Sequence, residues 1–212
     1  MKEQSVYEEK FKNLTIKIYQ DDDQINPIQE WDMLGSFVCW HRHYDLCSKD
    51  VSTNRYNTSK EQEYFESLDD FKNWLKENPA IVLPIFLYEH SGITIRTTTF
   101  NDRWDSGQVG YIFATKDKVR KEYSKKRISK SLKKKVEEIL QAEVKTFDDF
   151  LTGNVYGYIV EDEEGNNVDD CWGFYGDYEE ECLTEAREEA KYYYKKQQTE
   201  TIDRLGCLLQ LA

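Results

Sequence analysis

The sequence predicts an α+β fold, with a single domain, a mainly antiparallel sheet and three to five helices. Short runs that alternate apolar and polar side chains come in adjacent pairs, as in antiparallel hairpins. Runs with helical spacing stand apart from these pairs instead of alternating with them. The 212 residues, of which 14% are aromatic, suffice for one buried core.

The individual elements follow from their periodicity. Seven strands are predicted from alternating or β-branched runs, at residues 13–20, 35–40, 81–88, 93–100, 108–114, 153–160 and 168–174. Four helices are predicted from apolar spacings of three and four residues, at residues 67–78, 116–123, 129–151 and 179–198. Residues 45–59 are expected to form a loop. Residues 199–212 are expected to form a peripheral helix or tail of the same domain, which spans residues 1–212.

Several classes of protein are excluded by composition. The longest apolar stretch, residues 80–88, is far shorter than the roughly 20 residues that span a bilayer. The first residues lack a signal-peptide pattern, so a cytoplasmic protein without membrane contact is expected. The five cysteines show no CxxC spacing, which predicts reduced thiols. No cofactor is predicted.

Charge is distributed unevenly along the chain. Residues 147–190 hold 15 acidic and one basic side chain, whereas residues 111–146 hold 12 basic and five acidic ones. The acidic segment predicts a partner-binding surface formed by Glu161, Asp162, Glu163, Glu164, Asp169, Asp170, Glu179, Glu180 and Glu181. The basic segment predicts a patch formed by Lys125, Lys126, Arg127, Lys130, Lys133, Lys134 and Lys135.

These two surfaces predict different partners. An acidic surface repels nucleic acid and attracts basic protein surfaces. The basic helices at residues 116–135 could instead track phosphates, which predicts direct nucleic-acid binding as an alternative. A third interpretation is that both segments are solvated faces or neutralise each other across the fold.

Catalysis is a further alternative. A carboxylate beside tryptophan can have a raised pKa and act as a general acid, which makes Asp32, Asp102 and Asp105 candidates, together with His41. No nucleophile elbow, phosphate loop or dinucleotide motif accompanies them. The sequence therefore favours a binding protein over an enzyme.

Metal binding has three candidate locations. On a strand, Cys39, His41 and His43 would share one face, and zinc accepts such ligands; His90 stands isolated in the sequence. The acidic runs at residues 21–26 and 161–170 have the composition of a Ca²⁺ or Mg²⁺ loop. The favoured interpretation of the first segment is a buried cysteine thiol with hydrogen-bonded imidazoles. The favoured interpretation of the two acidic runs is that they are solvated turns.

The segment at residues 104–110, WDSGQVG, predicts a rigid corner. Asp105 is expected to cap the turn, and Gly107 and Gly110 to supply backbone freedom. Trp104 is expected to pack on the blocks around Trp40 and Trp172.

Five blocks of the sequence resemble a family of uncharacterised proteins carried by bacteriophages and mobile elements. The blocks lie at residues 26–42, 87–95, 104–110, 157–158 and 171–176. The resemblance implies a setting, the cytoplasm of an infected bacterium, and no catalytic residues. Together with the charge, it implies an anti-defence inhibitor of the anti-CRISPR or anti-restriction type, which binds a nucleic-acid-binding defence protein of the host.

Overall fold

The computed structural model describes residues 4–54, 59, 62–102 and 104–210, with side chains up to residue 202. These residues form ten strands: β1 (Tyr7–Phe11), β2 (Leu14–Gln20), β3 (Ser36–Cys39), β4 (Val51–Ser52), β5 (Glu63–Tyr64), β6 (Ala80–Glu89), β7 (Ile93–Arg96), β8 (Ser106–Thr115), β9 (Val155–Glu161) and β10 (Asn167–Tyr175). They also form five helices: α1 (Pro27–Glu30), α2 (Leu68–Glu77), α3 (Lys116–Glu122), α4 (Lys130–Thr152) and α5 (Cys182–Gln210).

The predicted α+β class is confirmed. Two four-stranded sheets pair antiparallel throughout, in the orders β1-β2-β9-β10 and β3-β8-β6-β7. The short pair β4–β5 is parallel. The chain divides into two compact units, Met1–Gln24 with Gly153–Ala212 and Ile25–Thr152. They are called the terminal unit and the central unit below, and the domain boundary at residues 1–212 stays a prediction.

The terminal unit is a sheet covered on one face by α5. Alternation along β2 directs Leu14, Ile16 and Ile18 to the covered face, where each is at most 1% exposed. Small side chains on α5, Ala186 and Ala190, are fully buried and let the helix approach the sheet closely. The hairpin predicted between the last two strands is confirmed.

The central unit has a sheet with cover on both faces. Successive residues of β8 point to opposite faces: Ile112 lies near Leu140 of α4, while Phe113 packs on Phe71 of α2. On the α4 face, the rings of Phe37 and Phe147 meet edge to face at 5.3 Å. The core of this unit therefore has two apolar layers, one on each side of the sheet.

Two half-buried carboxylates attach α4 to the sheet of the central unit. Glu143 accepts hydrogen bonds from the backbone N–H groups of Leu34 (2.6 Å) and Gly35 (2.8 Å). Asp148 accepts hydrogen bonds from the hydroxyl of Thr94 and the backbone N–H of Ile95 in β7 (both 2.7 Å). Burial raises the pKa of both carboxyls, and these donors oppose the shift.

The local structure differs from the prediction in several places. The loop predicted at residues 45–59 contains β4, which pairs with β5; residues 55–58 lie outside the described residues. The helix predicted to end at residue 198 continues to Gln210 as α5. The strand β1 was not predicted, because Glu8, Glu9 and Lys10 hide its alternation.

The corner before β8 also differs from the prediction. Trp104 is 95% exposed instead of packed. Asp102, not Asp105, caps the turn by accepting from the N–H groups of Trp104 (2.7 Å) and Asp105 (3.0 Å). Neither Gly107 nor Gly110 has a positive φ, so backbone freedom is not their role.

Candidate functional sites

The acidic surface begins at the turn between β9 and β10. Asp162 accepts from the N–H groups of Glu164 (2.9 Å) and Asn166 (2.8 Å), and hydrogen bonds from Asn166 lower its pKa. Glu161 forms an ion pair with Lys17 on the neighbouring strand β2. These two carboxylates therefore maintain the hairpin.

Two more of the predicted acidic residues serve the fold. Asp169 accepts from the buried hydroxyl of Tyr158 (2.9 Å). Asp170 accepts from the indole N–H of Trp172 (3.2 Å) and from the amide of Asn167 (2.9 Å). The remaining five predicted acidic residues are exposed, namely Glu163, Glu164, Glu179, Glu180 and Glu181.

These exposed carboxylates lie at the two ends of the terminal unit. Glu163 and Glu164 precede β10, and Glu179–Glu181 follow it, so nine residues, or about 30 Å of strand, separate them. The helix α5 returns along the sheet and brings Glu200 to the first group. There a cavity of about 390 Å³ is lined by Asn13, Asp162, Glu163, Glu164, Gln197, Glu200 and Thr201.

The basic patch is partly assembled into a cavity of about 550 Å³ in the central unit. Its cationic lining comes from α3, the connection to α4 and the first turn of α4, namely Lys116, Arg120, Lys126, Arg127, Lys130 and Lys133. Ala80, Ile81 and Ile128 add apolar surface, and Ser129 completes the lining. The name basic cavity is used for this site below.

Three residues of the predicted patch do not line the basic cavity. Lys134 lies 3.5 Å from Glu138 in an ion pair on α4. Lys135 lies over the ring of Tyr123, with its Nζ 5.1 Å from the centroid. Lys125 is exposed on the connection. Sequence reasoning did include Lys116 and Arg120 in the basic helices but left them out of the patch.

The three histidines of the protein gather at one end of the central sheet. The ring of His41 stacks on Tyr44 at 5.0 Å and meets His43 at 5.8 Å. The hydroxyl of Tyr44 donates to Glu89 (2.8 Å), whose own N–H donates to the carbonyl of Asp105 (2.8 Å). We call this group of side chains the histidine end; it comprises His41, His43, Tyr44, Glu89, His90 and Asp105.

His90 stands isolated in the sequence, but in the structure it has a neighbour that could act with it. Its Nδ1 lies 3.6 Å from a carboxylate oxygen of Asp105. Sequence reasoning missed Tyr44 and Glu89 altogether, because no local pattern indicates that the segment after β3 reaches the turn after β6. Asp102 adjoins this group, and hydrogen bonds from the N–H groups of Asp105 and Trp104 lower its pKa.

Asp32 lies elsewhere in the central unit. It lines a cavity of about 160 Å³ with Asp50 and Lys118. Lys118 follows the end of β8, whereas Asp105 precedes its start, and the ten residues between span about 33 Å. The structure therefore does not bring Asp32 to the histidines, and the predicted four-residue catalytic site is not assembled.

The zinc alternative depended on a strand that continues past Cys39, but β3 ends there. Cys39 is 3% exposed, and burial raises the pKa of its thiol to about 12. In the part of the chain that the structure describes, no three His, Cys, Asp or Glu side chains are arranged to hold a metal ion. The alternation argument for Cys39, His41 and His43 is therefore wrong. The prediction of no cofactor stays a prediction.

Among the described residues, no helix is both long enough and apolar enough to cross a membrane. Comparison with known proteins gives no match to a family model, to a curated protein or to a solved structure.

Proposed function

We propose that the protein is a binding protein whose exposed acidic surface docks on a nucleic-acid-binding protein. In the setting implied by the resemblance, the partner is a defence protein of an infected bacterium, and binding inhibits it. The observation that carries the proposal is the set of five exposed carboxylates on the terminal unit, Glu163, Glu164, Glu179, Glu180 and Glu181.

The placement of these carboxylates suits a basic groove. They belong to two turns separated by about 30 Å of strand, and α5 adds Glu200, which lines the same cavity as Glu163 and Glu164. Two groups of carboxylates at this spacing present negative charge at points as far apart as several nucleotides of a duplex. A groove built to hold phosphates would attract them by the same electrostatic forces.

The test is charge reversal of the exposed carboxylates alone. A variant with Glu163→Lys, Glu164→Lys, Glu179→Lys, Glu180→Lys and Glu181→Lys leaves Asp162, Asp169 and Asp170 in their structural hydrogen bonds. A matched control reverses five exposed carboxylates of the central unit, Glu30→Lys, Glu63→Lys, Glu66→Lys, Glu77→Lys and Glu122→Lys, so that both variants have the same net charge. All three proteins are used as bait in host lysate, and captured proteins are identified by mass spectrometry.

The proposal expects a partner that binds nucleic acid, that duplex DNA or RNA displaces, and that salt releases, because exposed ion pairs are screened. The wild type and the control should capture it, and the reversed variant should not. Capture that survives the five reversals, or a partner that nucleic acid fails to displace, would show that the acidic surface is not the docking site.

A further inference from the structure

We propose that the basic cavity is a binding site for a small ligand that carries two or three linked phosphates, as in inorganic tripolyphosphate or a nucleoside triphosphate. The proposal does not depend on the acidic surface, which lies on the other compact unit.

The first argument is the concentration of positive charge. Six cationic side chains line the basic cavity, and none of the described residues that line it is acidic. A space of about 550 Å³ is about 10 Å across, so these charges lie within roughly one Debye length of one another at physiological salt. Their mutual repulsion is unfavourable in the free protein, and a bound polyanion would relieve it.

Few of these charges are neutralised within the protein. Arg120 pairs with Asp117, and Lys133 lies 3.4 Å from Glu137. The other four cations have no ion pair among the described residues, namely Lys116, Lys126, Arg127 and Lys130. Four unpaired cations match the charge of a triphosphate.

The second argument is the start of α4. This helix is 23 residues long, and its first N–H groups are at the edge of the basic cavity, where Lys130 and Lys133 lie. The hydroxyl of Ser129 accepts from the N–H of Leu132 (3.1 Å), which caps the helix and orders its first turn. The positive end of the helix dipole thus adds to the charge of the side chains.

The third argument favours a small ligand over a nucleic-acid strand. The charge converges on one concavity, because Lys134 and Lys135 on the next face of α4 contact Glu138 and Tyr123 instead. Among the described residues that line the basic cavity none is aromatic, whereas single-strand binding relies on bases stacked on aromatic rings. Its volume falls in the range of small-molecule sites, and its apolar residues could contact the non-phosphate part of a ligand.

Isothermal titration calorimetry of the full chain with sodium tripolyphosphate tests the proposal. We expect 1:1 binding at about 50 mM salt that weakens as salt rises. The double variant Lys126→Glu with Arg127→Glu should weaken binding at least about tenfold, since each lost charge-assisted contact is worth about that factor. A second double variant, Lys130→Gln with Lys133→Gln, should act in the same direction.

The matched control is the double variant Lys121→Glu with Lys125→Glu, which makes the same change of charge at two exposed residues that do not line the basic cavity. It should leave the affinity within about twofold. Circular dichroism confirms that each variant is folded. A nucleoside triphosphate that binds more tightly than tripolyphosphate would assign the apolar residues to the nucleoside; equal affinities would assign the site to phosphate alone.

Three results would overturn the proposal. Tripolyphosphate could give no more heat than sulfate at equal ionic strength. The double variant Lys121→Glu with Lys125→Glu could weaken binding as much as the cavity variants, which would indicate unspecific attraction. Finally, a single-stranded or duplex oligonucleotide could bind at the same cations without being displaced by tripolyphosphate, which would make this a nucleic-acid surface.

Discussion

Gly110 lies in β8 where β3 passes too close for any side chain, and its replacement by alanine gives the sharpest test of the fold. A Cβ atom at this position would lie 2.0 Å from the carbonyl oxygen of Val38 and 2.9 Å from the Cα of Cys39. Both obstacles are backbone atoms, so no rotamer change can remove them. The two strands would have to separate by about 1.4 Å to restore an ordinary contact of 3.4 Å.

The cost follows from what that separation breaks. The N–H of Trp40 donates to the carbonyl of Val109 (3.0 Å), next to the pair Cys39 and Gly110. Losing this bond and one neighbouring ladder bond costs about 1–3 kcal/mol, and forcing a methyl group into a packed site costs about 1–3 kcal/mol. The Gly110→Ala variant should therefore lose about 2–6 kcal/mol, a large share of a typical free energy of unfolding.

Gly107→Ala provides a matched control in the same strand. A Cβ atom at Gly107 would meet no atom of the described residues within 4 Å, and Gly107 has no positive φ. Alanine there should stabilise the protein by about 0.5 kcal/mol, because it restricts the unfolded chain. Urea unfolding followed by circular dichroism measures both variants.

A Gly110→Ala protein within about 1 kcal/mol of the wild type would refute the close-approach argument. Equal losses in both variants would refute it too, since they would point to a general need for glycine in β8. Insoluble Gly110→Ala alongside soluble Gly107→Ala would agree with it.

Three further predictions concern pH and thiol chemistry. Glu143→Gln should lower the free energy of unfolding by about 1–3 kcal/mol, because the new amide N–H₂ faces a backbone N–H. Burial raises the pKa of Glu143, so the wild type loses stability as pH rises through that pKa. The difference in unfolding free energy between wild type and variant, measured with urea, should therefore be larger near about pH 4 than near about pH 7. Arg187→Ala removes a two-point ion pair (2.8 and 2.7 Å) that lowers the pKa of Glu9, so its deficit, up to about 1 kcal/mol at neutral pH, should vanish as pH falls through that pKa. Burial raises the thiol pKa values of Cys39 and Cys182 to about 12, so iodoacetamide should modify them, as read by peptide mass spectrometry, only after unfolding.

The sequence predicts those elements in which burial of one face imposes a periodic pattern of apolar residues. The alternation at residues 14–20 and the apolar spacing of α4 follow directly from burial on one side, and both were predicted. The strands β4 and β5 were not predicted because they are only two residues long, and β1 was not predicted because it carries charges at three consecutive positions. Their pairing depends on neighbours that are distant in sequence, which periodicity does not encode.

The same distinction applies to the glycines of residues 104–110. A glycine signals either a positive φ or a close approach, and sequence alone favours the first interpretation for a loop-like segment. The structure shows a close approach at Gly110, whereas no atom of the described residues lies within 4 Å of a Cβ at Gly107. Only the position of β3, 71 residues earlier in the chain at Cys39, separates the two cases.

The basic cavity could be predicted from the sequence only in part. Lys116 and Arg120 are four residues apart on α3, and Lys130 and Lys133 are three apart on α4, so each pair shares a helix face that sequence spacing could have identified. What spacing could not show is that the turn through Ser124, with its positive φ of 50°, returns the chain so that both faces line one concavity. The linear run of positive charge thus predicted an extended phosphate-tracking surface, whereas folding divides it. Six cations converge on a site with room for one small polyanion, and Lys134 and Lys135 turn to partners of their own.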